Sequence, residues 1–358
     1  LLKGSINLKG AILDDLELSN YKISLDENSK NIDLFLPDGT SNPYYVEIGW
    51  KQINETSIDL PDLETEWESN STTLSSNKNV VLSWKNNQNI TFKITYEVDE
   101  NYMFSIKQEI FNGSNKTIDV FPYRLIKRIN TPDTINFFIL HEGLISLLND
   151  ELLEKDYDDL MDDCSSANTS KNLYCDNKSQ GGWLGFTDKY WMSVLIPDPS
   201  EPINVNYRHG NNGRDNYRTG YVGKIFNINP AQSISYNGLL FAGAKNLNIL
   251  NNYKKTLTIP RFNDAIDWGW FSFLTKPISH AINWFYGYVG NFGLAIIAFT
   301  ILMRLILFPL AHTSFKSMAK MKKLQPEMKQ LKETYPDDKQ KMQKELMALY
   351  KREGANPV

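Results

Sequence analysis

Residues Phe292–Ala311 form a twenty-residue run in which Arg304 is the single charged side chain, and only Thr300, Gly293 and Pro309 interrupt an otherwise apolar series. At about 1.5 Å per residue a helix of that length reaches about 30 Å, the thickness of a bilayer's hydrocarbon core. A core helix of a water-soluble domain is normally shorter and carries no unpaired guanidinium. The run predicts a transmembrane helix, and the chain on its two sides differs in kind.

Charge shows the difference. Residues 312–358 hold 11 Lys+Arg against 6 Asp+Glu, whereas residues 1–291 hold 26 against 36. Lys and Arg collect on the cytoplasmic side of spanning helices. The basic tail is therefore expected in the cytoplasm and the large acidic N-terminal part outside it. The overall pI near 5.7 averages the two and points to no nucleic-acid partner. The chain opens at Leu1, without Met or a signal peptide, and closes on Asn356-Pro357-Val358. An exported domain needs a targeting segment, so a piece of a longer protein is expected.

From Gly4 to about Ile259 the dominant period is two. In Ile90–Val98, Ile90, Phe92, Ile94, Tyr96 and Val98 share one face, and Thr91, Lys93, Thr95 and Glu97 the other. Tyr102, Phe104, Ile106 and Ile110 repeat the pattern with a polar break at Gln108. Asp99-Glu100-Asn101 joins the two, which predicts an antiparallel hairpin with one wet face. Further strands are expected at Ile32–Leu36, Tyr44–Ile48, Val80–Trp84, Ile135–Leu140, Tyr190–Ile196 and Ser233–Phe241. Gly, Asn, Asp and Pro clusters separate them. Many short strands predict a large antiparallel β-sandwich over residues 1–262. One acidic, weakly periodic stretch, Gly143 to Met161, predicts a helical patch. The glycines of Gly181-Gly182-Trp183-Leu184-Gly185 precede a strand rather than a helix, and so suit a turn or tight packing better than a phosphate cradle.

Cys164 and Cys175 sit in a polar loop on the side expected to be oxidising. A disulfide between them would stabilise the domain by about 3 kcal/mol in the chain-entropy picture. The alternative is two free thiols; a metal site is not expected. Among the four histidines, His280 and His312 flank the apolar run, which leaves His141 and His209 for any chemistry in the sandwich. No Gly-x-Ser-x-Gly, His-Glu-x-x-His, phosphate-loop or dinucleotide motif is present, so neither enzymatic activity nor a cofactor is expected.

Residues 263–291 form an aromatic bridge. Trp268, Trp270 and Trp284, with Phe271, Phe273, Phe285, Tyr286 and Tyr288, mark the headgroup level of a membrane. From Pro277 onward Ile278, Ile282, Phe285, Tyr286 and Val289 recur at helical spacing. This predicts a helix in the interface plane with Pro277 in its first turn. Beyond the run, in residues 312–358, Met318, Met321, Leu324, Met328, Leu331 and Tyr335 follow helical spacing. Pro336-Asp337-Asp338 breaks that stripe, with Asp337 as N-cap, and Met342, Leu346, Leu349 and Tyr350 form a second. The pair predicts an antiparallel helical hairpin with Lys-rich outer faces. Pro326 is expected to kink the first arm or to begin a new helix. The Met-rich stripe is either core filling or an adaptable partner-binding surface. The basic outer face suits anionic lipid.

Three segments carry a family resemblance: Asn291-Phe292-Gly293-Leu294-Ala295-Ile296-Ile297, Leu307-Phe308-Pro309-Leu310, and Ser317 through Met328. With Tyr335, Asp338 to Met342, Glu345 to Tyr350, Gly182 to Trp191 and Ala265 to Phe271, they resemble the YidC family of bacterial inner-membrane insertases. The resemblance implies a periplasmic sandwich similar in fold to sugar mutarotases, a second transmembrane helix at Phe292–Ala311, and a cytoplasmic hairpin. It also implies a hydrophilic groove lined by Arg304, with Thr300 one turn away. The implied partners are nascent membrane proteins, membrane lipid, the Sec translocon with its accessory subunits, and the ribosome or a targeting factor. Taken alone, Arg304 fits equally an anchor that snorkels to the interface. The competing function is a membrane-anchored carbohydrate-binding or mutarotase-like protein, which would need His141 and His209 together beside an open carboxylate.

Overall fold

Alternation of apolar and polar residues becomes two antiparallel sheets in the computed structural model, which describes residues 1–26, 28–53, 58–134, 140–165, 175–269, 271–336 and 338–353. The strands are β1 (Leu2–Asn7), β2 (Ile12–Lys22), β3 (Asn31–Phe35), β4 (Tyr44–Gln52), β5 (Glu68–Ser69), β6 (Val80–Lys85), β7 (Ile90–Val98), β8 (Met103–Asn112) and β9 (Ile118–Ile129). They continue as β10 (Gly143–Leu148), β11 (Glu151–Lys155), β12 (Asp176–Gln180), β13 (Trp183–Thr187), β14 (Trp191–Pro197), β15 (Pro202–Asn211), β16 (Asp215–Val222), β17 (Phe226–Ile228) and β18 (Ser233–Ala244). One sheet runs β1-β2-β4-β9-β16-β15-β12, with β3 on β2 and β17 on β9; the other runs β11-β10-β13-β14-β18-β8-β7-β6-β5.

The expected hairpin forms as β7 and β8, with Val98 opposite Phe104 and Ile90 opposite Asn112. Ile90, Phe92, Ile94 and Tyr96 are fully buried on its inner face. Each such side chain contributes about 2 kcal/mol by leaving water. Gln108, the polar break, also faces inward, where its Nε2 donates to the Gly49 carbonyl of the opposite sheet at 2.8 Å. Other polar side chains also stitch the sheets together. Tyr207 on β15 donates to Ser146 on β10 at 2.8 Å, and the Tyr44 and Ser193 hydroxyls bond β4 to β14.

The helical patch predicted over Gly143 to Met161 is instead β10, β11 and a short helix α1 (Tyr157–Asp163). The register places Leu148 opposite Glu151 across Asn149-Asp150, both at positive φ (51° and 67°), which is a two-residue hairpin turn. Leu144, Ile145, Leu147 and Leu148 are buried on both faces of β10, so their spacing carried no period to read. Most other expected strands appear within a few residues of their predicted ends; Ile135–Leu140 falls largely outside the described residues. Gly182 makes the tight approach expected of it: at φ 94°, a Cβ there would lie 2.2 Å from the Leu147 carbonyl oxygen.

The chain divides into Leu1–Asp267 and Trp268–Val358. The sandwich unit thus continues past Phe262 because that ring packs at 5.8 Å on Trp183 and 5.5 Å on Phe241, with α2 (Leu247–Thr256) beside it. Asp267 accepts the His141 backbone N–H at 3.2 Å. In the second unit, α3 (Ser272–Val289) ends on Gly290 at φ 69°, and Asn291 caps α4 (Phe292–Thr334) by accepting the Leu294 N–H at 3.1 Å. Pro277 lies in the second turn of α3 rather than the first. Helix α4 runs 43 residues through both Pro309 and Pro326, roughly 65 Å of rise, so neither proline starts a new helix. Helix α5 (Lys339–Glu353) follows.

Candidate functional site

The apolar part of α4 is built for a solvent other than water. Leu294, Ile297, Ile301, Leu305, Phe308 and Leu310 are each more than half exposed, and only 6% of the most apolar eighteen-residue window is buried, at a mean hydropathy of 2.4. By length and composition it is the one helix among the described residues apolar enough to cross a bilayer. In hydrocarbon each backbone N–H and C=O must be paired within the segment, and the α-helix provides that.

Thr300 and Arg304 lie one turn apart on that helix and both are exposed. The Thr300 hydroxyl donates to the Ile296 carbonyl at 2.7 Å. Its polarity is thereby spent on the helix itself. Arg304 stands alone as a charge among aliphatic side chains. Such a group is costly in hydrocarbon unless it reaches water, a headgroup or an acidic partner.

The aromatic bridge is exposed as well. Helix α3 buries no residue, and Phe273, Trp284 and Tyr288 are more than half exposed. Trp284 packs edge-on against Phe285 and Tyr288 at 5.0 and 4.7 Å, and Lys276 lies 5.6 Å over the Trp268 ring. Aromatic bodies with a cation among them match the amphipathic level of a membrane surface. Trp270 lies outside the described residues.

The hairpin forms between α4 and α5. Leu324 and Leu349 are its buried pair, with Met321, Met328, Leu331 and Tyr350 packed against them. Tyr350 donates to Met328 Sδ at 3.6 Å, and Arg352 bridges Glu327 at 2.9 Å. Most of the predicted contact stripe is therefore spent inside the hairpin, with Met342 and Leu346 half-buried. Met318 stays exposed and is joined by Phe315 and Met347, which the stripe did not single out. The cap of α5 is Asp338, whose Oδ1 accepts the Lys341 N–H at 2.9 Å, one residue after the predicted position; Asp337 lies outside the described residues.

In the sandwich Cys164 and Cys175 are disulfide-bonded and buried. The two histidines hold separate local contacts. His141 Nε2 meets the Leu144 carbonyl at 2.8 Å, while His209 Nε2 meets Asp215 at 3.0 Å and holds that carboxyl below its ordinary pKa. Among the described residues no group of three His, Cys, Asp or Glu is placed to hold a metal ion. Two inward-set cations escaped the sequence reading, Lys245 half-buried and Arg124 buried. Lys245 donates to Thr187 at 2.9 Å, and burial pushes its ammonium down to about 8 while Asp188, Asp267, Glu142 and Glu154 oppose the shift. Arg124 is fully buried between the sheets. Its signal was legible: in Ile118, Val120, Pro122, Arg124 and Ile126 a guanidinium occupies an inward position of a period-two run.

Residues 1–281 match the family described as YidC periplasmic domain, and residues 284–358 match the 60Kd inner membrane protein family. The chain belongs to the YidC family. It is 42% identical over 358 residues to the membrane protein insertase YidC of Rickettsia felis and 43% identical over 360 residues to that of Rickettsia massiliae. All of this chain and 62% of each relative are covered, so it spans less than two thirds of those YidC proteins. Among solved structures, a galactose mutarotase related enzyme from Lactobacillus acidophilus is similar at a TM-score of 0.44 and 8% identity, over 68% of this chain and 94% of that one. As a YidC family member the chain is an inner-membrane protein.

Proposed function

We propose that this chain is part of a membrane protein insertase that helps nascent inner-membrane proteins enter the bilayer. The observation that carries the reading is Arg304, an exposed guanidinium and the single charge in the Phe292–Ala311 stretch of a helix long enough to span the bilayer. Relatives 42–43% identical along the whole chain carry the name membrane protein insertase YidC, which supports it.

A fixed positive charge inside a groove at bilayer depth lowers the cost of moving an acidic or polar segment out of water. The groove would be completed by helices beyond this chain. Thr300 lines it one turn away through the oxygen face of its back-bonded hydroxyl. The charge split orients the span with the sandwich in the periplasm and the hairpin in the cytoplasm. In that orientation the basic hairpin, with Met318 and Met347 exposed, receives nascent chains from the ribosome or a targeting factor. Trp268 and Trp284 anchor the interfacial helix in lipid. The sandwich offers a surface to the Sec translocon and its accessory subunits. No step of this reading requires a cofactor or covalent chemistry.

Separate contacts at His141 and His209 give no support to the carbohydrate-binding alternative. The test places Arg304→Ala and Arg304→Lys in the complete protein and follows insertion of a short membrane substrate with an acidic tail in depleted cells. Loss with Ala and rescue with Lys is expected. If Ala inserts as well as Arg, the guanidinium is an anchor and the groove reading fails.

A further inference from the structure

Exposed apolar side chains of the sandwich gather at one end. Among its described residues the large hydrophobics that are more than half exposed are Ile23, Leu25, Ile53, Tyr190 and Ile225, and three of these share one surface. Ile23 and Leu25 sit in the turn after β2, and Tyr190 in the turn between β13 and β14. Tyr21, near the end of β2, joins the two turns. Its ring meets Trp191 edge-on at 5.4 Å, and Trp191 meets Tyr190 at 5.7 Å. Lys189 lies 4.8 Å over the Tyr190 ring. Leu1, also exposed, borders them where its carbonyl accepts the Ser19 N–H at 2.9 Å.

The turn after β2 does not need its apolar tips. Its own polar groups close it: the Ser24 N–H donates to Ser29 Oγ at 3.0 Å, the Ile23 N–H to the Lys30 carbonyl at 3.0 Å, and the Ser24 hydroxyl to Asp26 at 3.2 Å. Polar residues would serve such a turn in water. Leu25 instead is fully exposed.

This end is also the one from which the chain leaves for the membrane. The Lys245 N–H donates to the Tyr190 carbonyl at 2.8 Å, and the Lys189 N–H donates to Glu142 Oε1 at 3.1 Å. His141, next to Glu142, donates its backbone N–H to Asp267 at 3.2 Å. Only Trp268 to Phe271 then separate Asp267 from α3. A lipid headgroup layer suits such a surface: Tyr and Trp rings take the boundary between water and hydrocarbon, Lys meets phosphate, and aliphatic tips reach toward the acyl chains.

We propose that Ile23, Leu25, Lys189, Tyr190 and Trp191 form a foot by which the sandwich rests on the phospholipid headgroups of the bilayer that α4 crosses. The foot rests on the reading of α3 as an interfacial helix and adds a second membrane contact, made by the sandwich itself.

The test uses the complete protein in nanodiscs of phosphatidylethanolamine and phosphatidylglycerol, with no other membrane protein present. Cys164 and Cys175 are bonded to each other, so one introduced cysteine carries a nitroxide label. The labelled variants are Ser24→Cys and Tyr190→Cys at the foot, Tyr288→Cys on α3, and Asn115→Cys in the turn after β8. Strand β8 begins beside Tyr102, whose carbonyl accepts the Ala242 N–H next to the Trp191 strand, and its ten residues carry Asn115 about 30 Å away from the foot. Collisions with oxygen, which concentrates in lipid, are compared with collisions with a water-soluble nickel chelate. At the Ser24 and Tyr190 sites the oxygen-to-nickel ratio is expected severalfold above that at Asn115 and close to that at Tyr288. Ile23→Ser/Leu25→Ser changes only exposed side chains; it should fold and return the Ser24 label to the Asn115 value. Ratios at Ser24 and Tyr190 equal to that at Asn115, or a Ser24 ratio that the Ser pair leaves unchanged, overturn the foot. A lipid-like ratio at Tyr288 in that case leaves the interfacial helix standing, whereas a water-like one removes both.

Discussion

Leu324 on α4 lies against Leu349 on α5, each equidistant from the turn that joins the helices, at 6% and 4% exposure. This pair is what makes two basic, mostly exposed helices into one hairpin. It also divides the Met-rich stripe into side chains that hold the hairpin and side chains left free to touch something else.

Leu324→Ala should therefore loosen the hairpin by about 2 kcal/mol, the low end for a deleted core leucine because the cluster is small and partly wet. Met318→Ala, at an exposed position, should leave hairpin stability unchanged. Hydrogen exchange of the α5 amides reads both: rapid exchange in the first variant and wild-type protection in the second. Equal protection in the two would place the hairpin's stability elsewhere.

Reduction of Cys164–Cys175 should lower the sandwich's unfolding free energy by about 3 kcal/mol, since the bridge closes a short loop of sequence separation 11. Urea unfolding with and without reductant measures the loss, and Cys164→Ser/Cys175→Ser should match the reduced protein. The bonds from the His209 and Tyr207 N–H groups to the Cys164 and Cys175 carbonyls, both 2.9 Å, persist without the bridge, so the domain should still fold.

Lys245 makes stability depend on pH in a defined direction. Its ammonium sits at about 8 in the folded chain and near 10.5 once unfolded, so between these values the unfolded state binds more protons. The lysine's contribution therefore rises as pH climbs from about 8 and is penalising below it. Unfolding free energies at pH 7 to 9.5 for wild type and Lys245→Met should show the wild type gaining on the variant as pH increases. A constant difference would mean that Lys245 is as solvated folded as unfolded.

Much of this architecture was legible before any coordinates. The β7–β8 hairpin followed from alternation, because one face meets the core and the other meets water. The α4 span followed from twenty residues with one charge, and the cysteine pair from spacing and compartment. The misreadings share a cause. β10 is apolar on both faces, so no period distinguishes it from a helix, and the two-residue turn at Asn149-Asp150 was the clue that mattered. Pro277 is expected in the first turn of its helix and Pro326 at a kink or a new helix start, yet no new helix begins at Pro326 and α3 starts before Pro277, because the flanking turns outweigh one lost backbone bond.

By itself the sequence determined which segments avoid water: the period-two faces of the strands, the apolar length of Phe292–Ala311 and the aromatic belt before it. Those are local properties, set by side-chain transfer energies and backbone geometry, and they survive without knowledge of what packs on what. Tertiary structure decided the pairings. It placed Gln108 beneath Arg124, divided Met321 from Met318 between core and surface, and set Lys245 among four carboxylates. These depend on contacts between residues far apart in the chain, where burial turns an ordinary polar group into one that needs a specific partner.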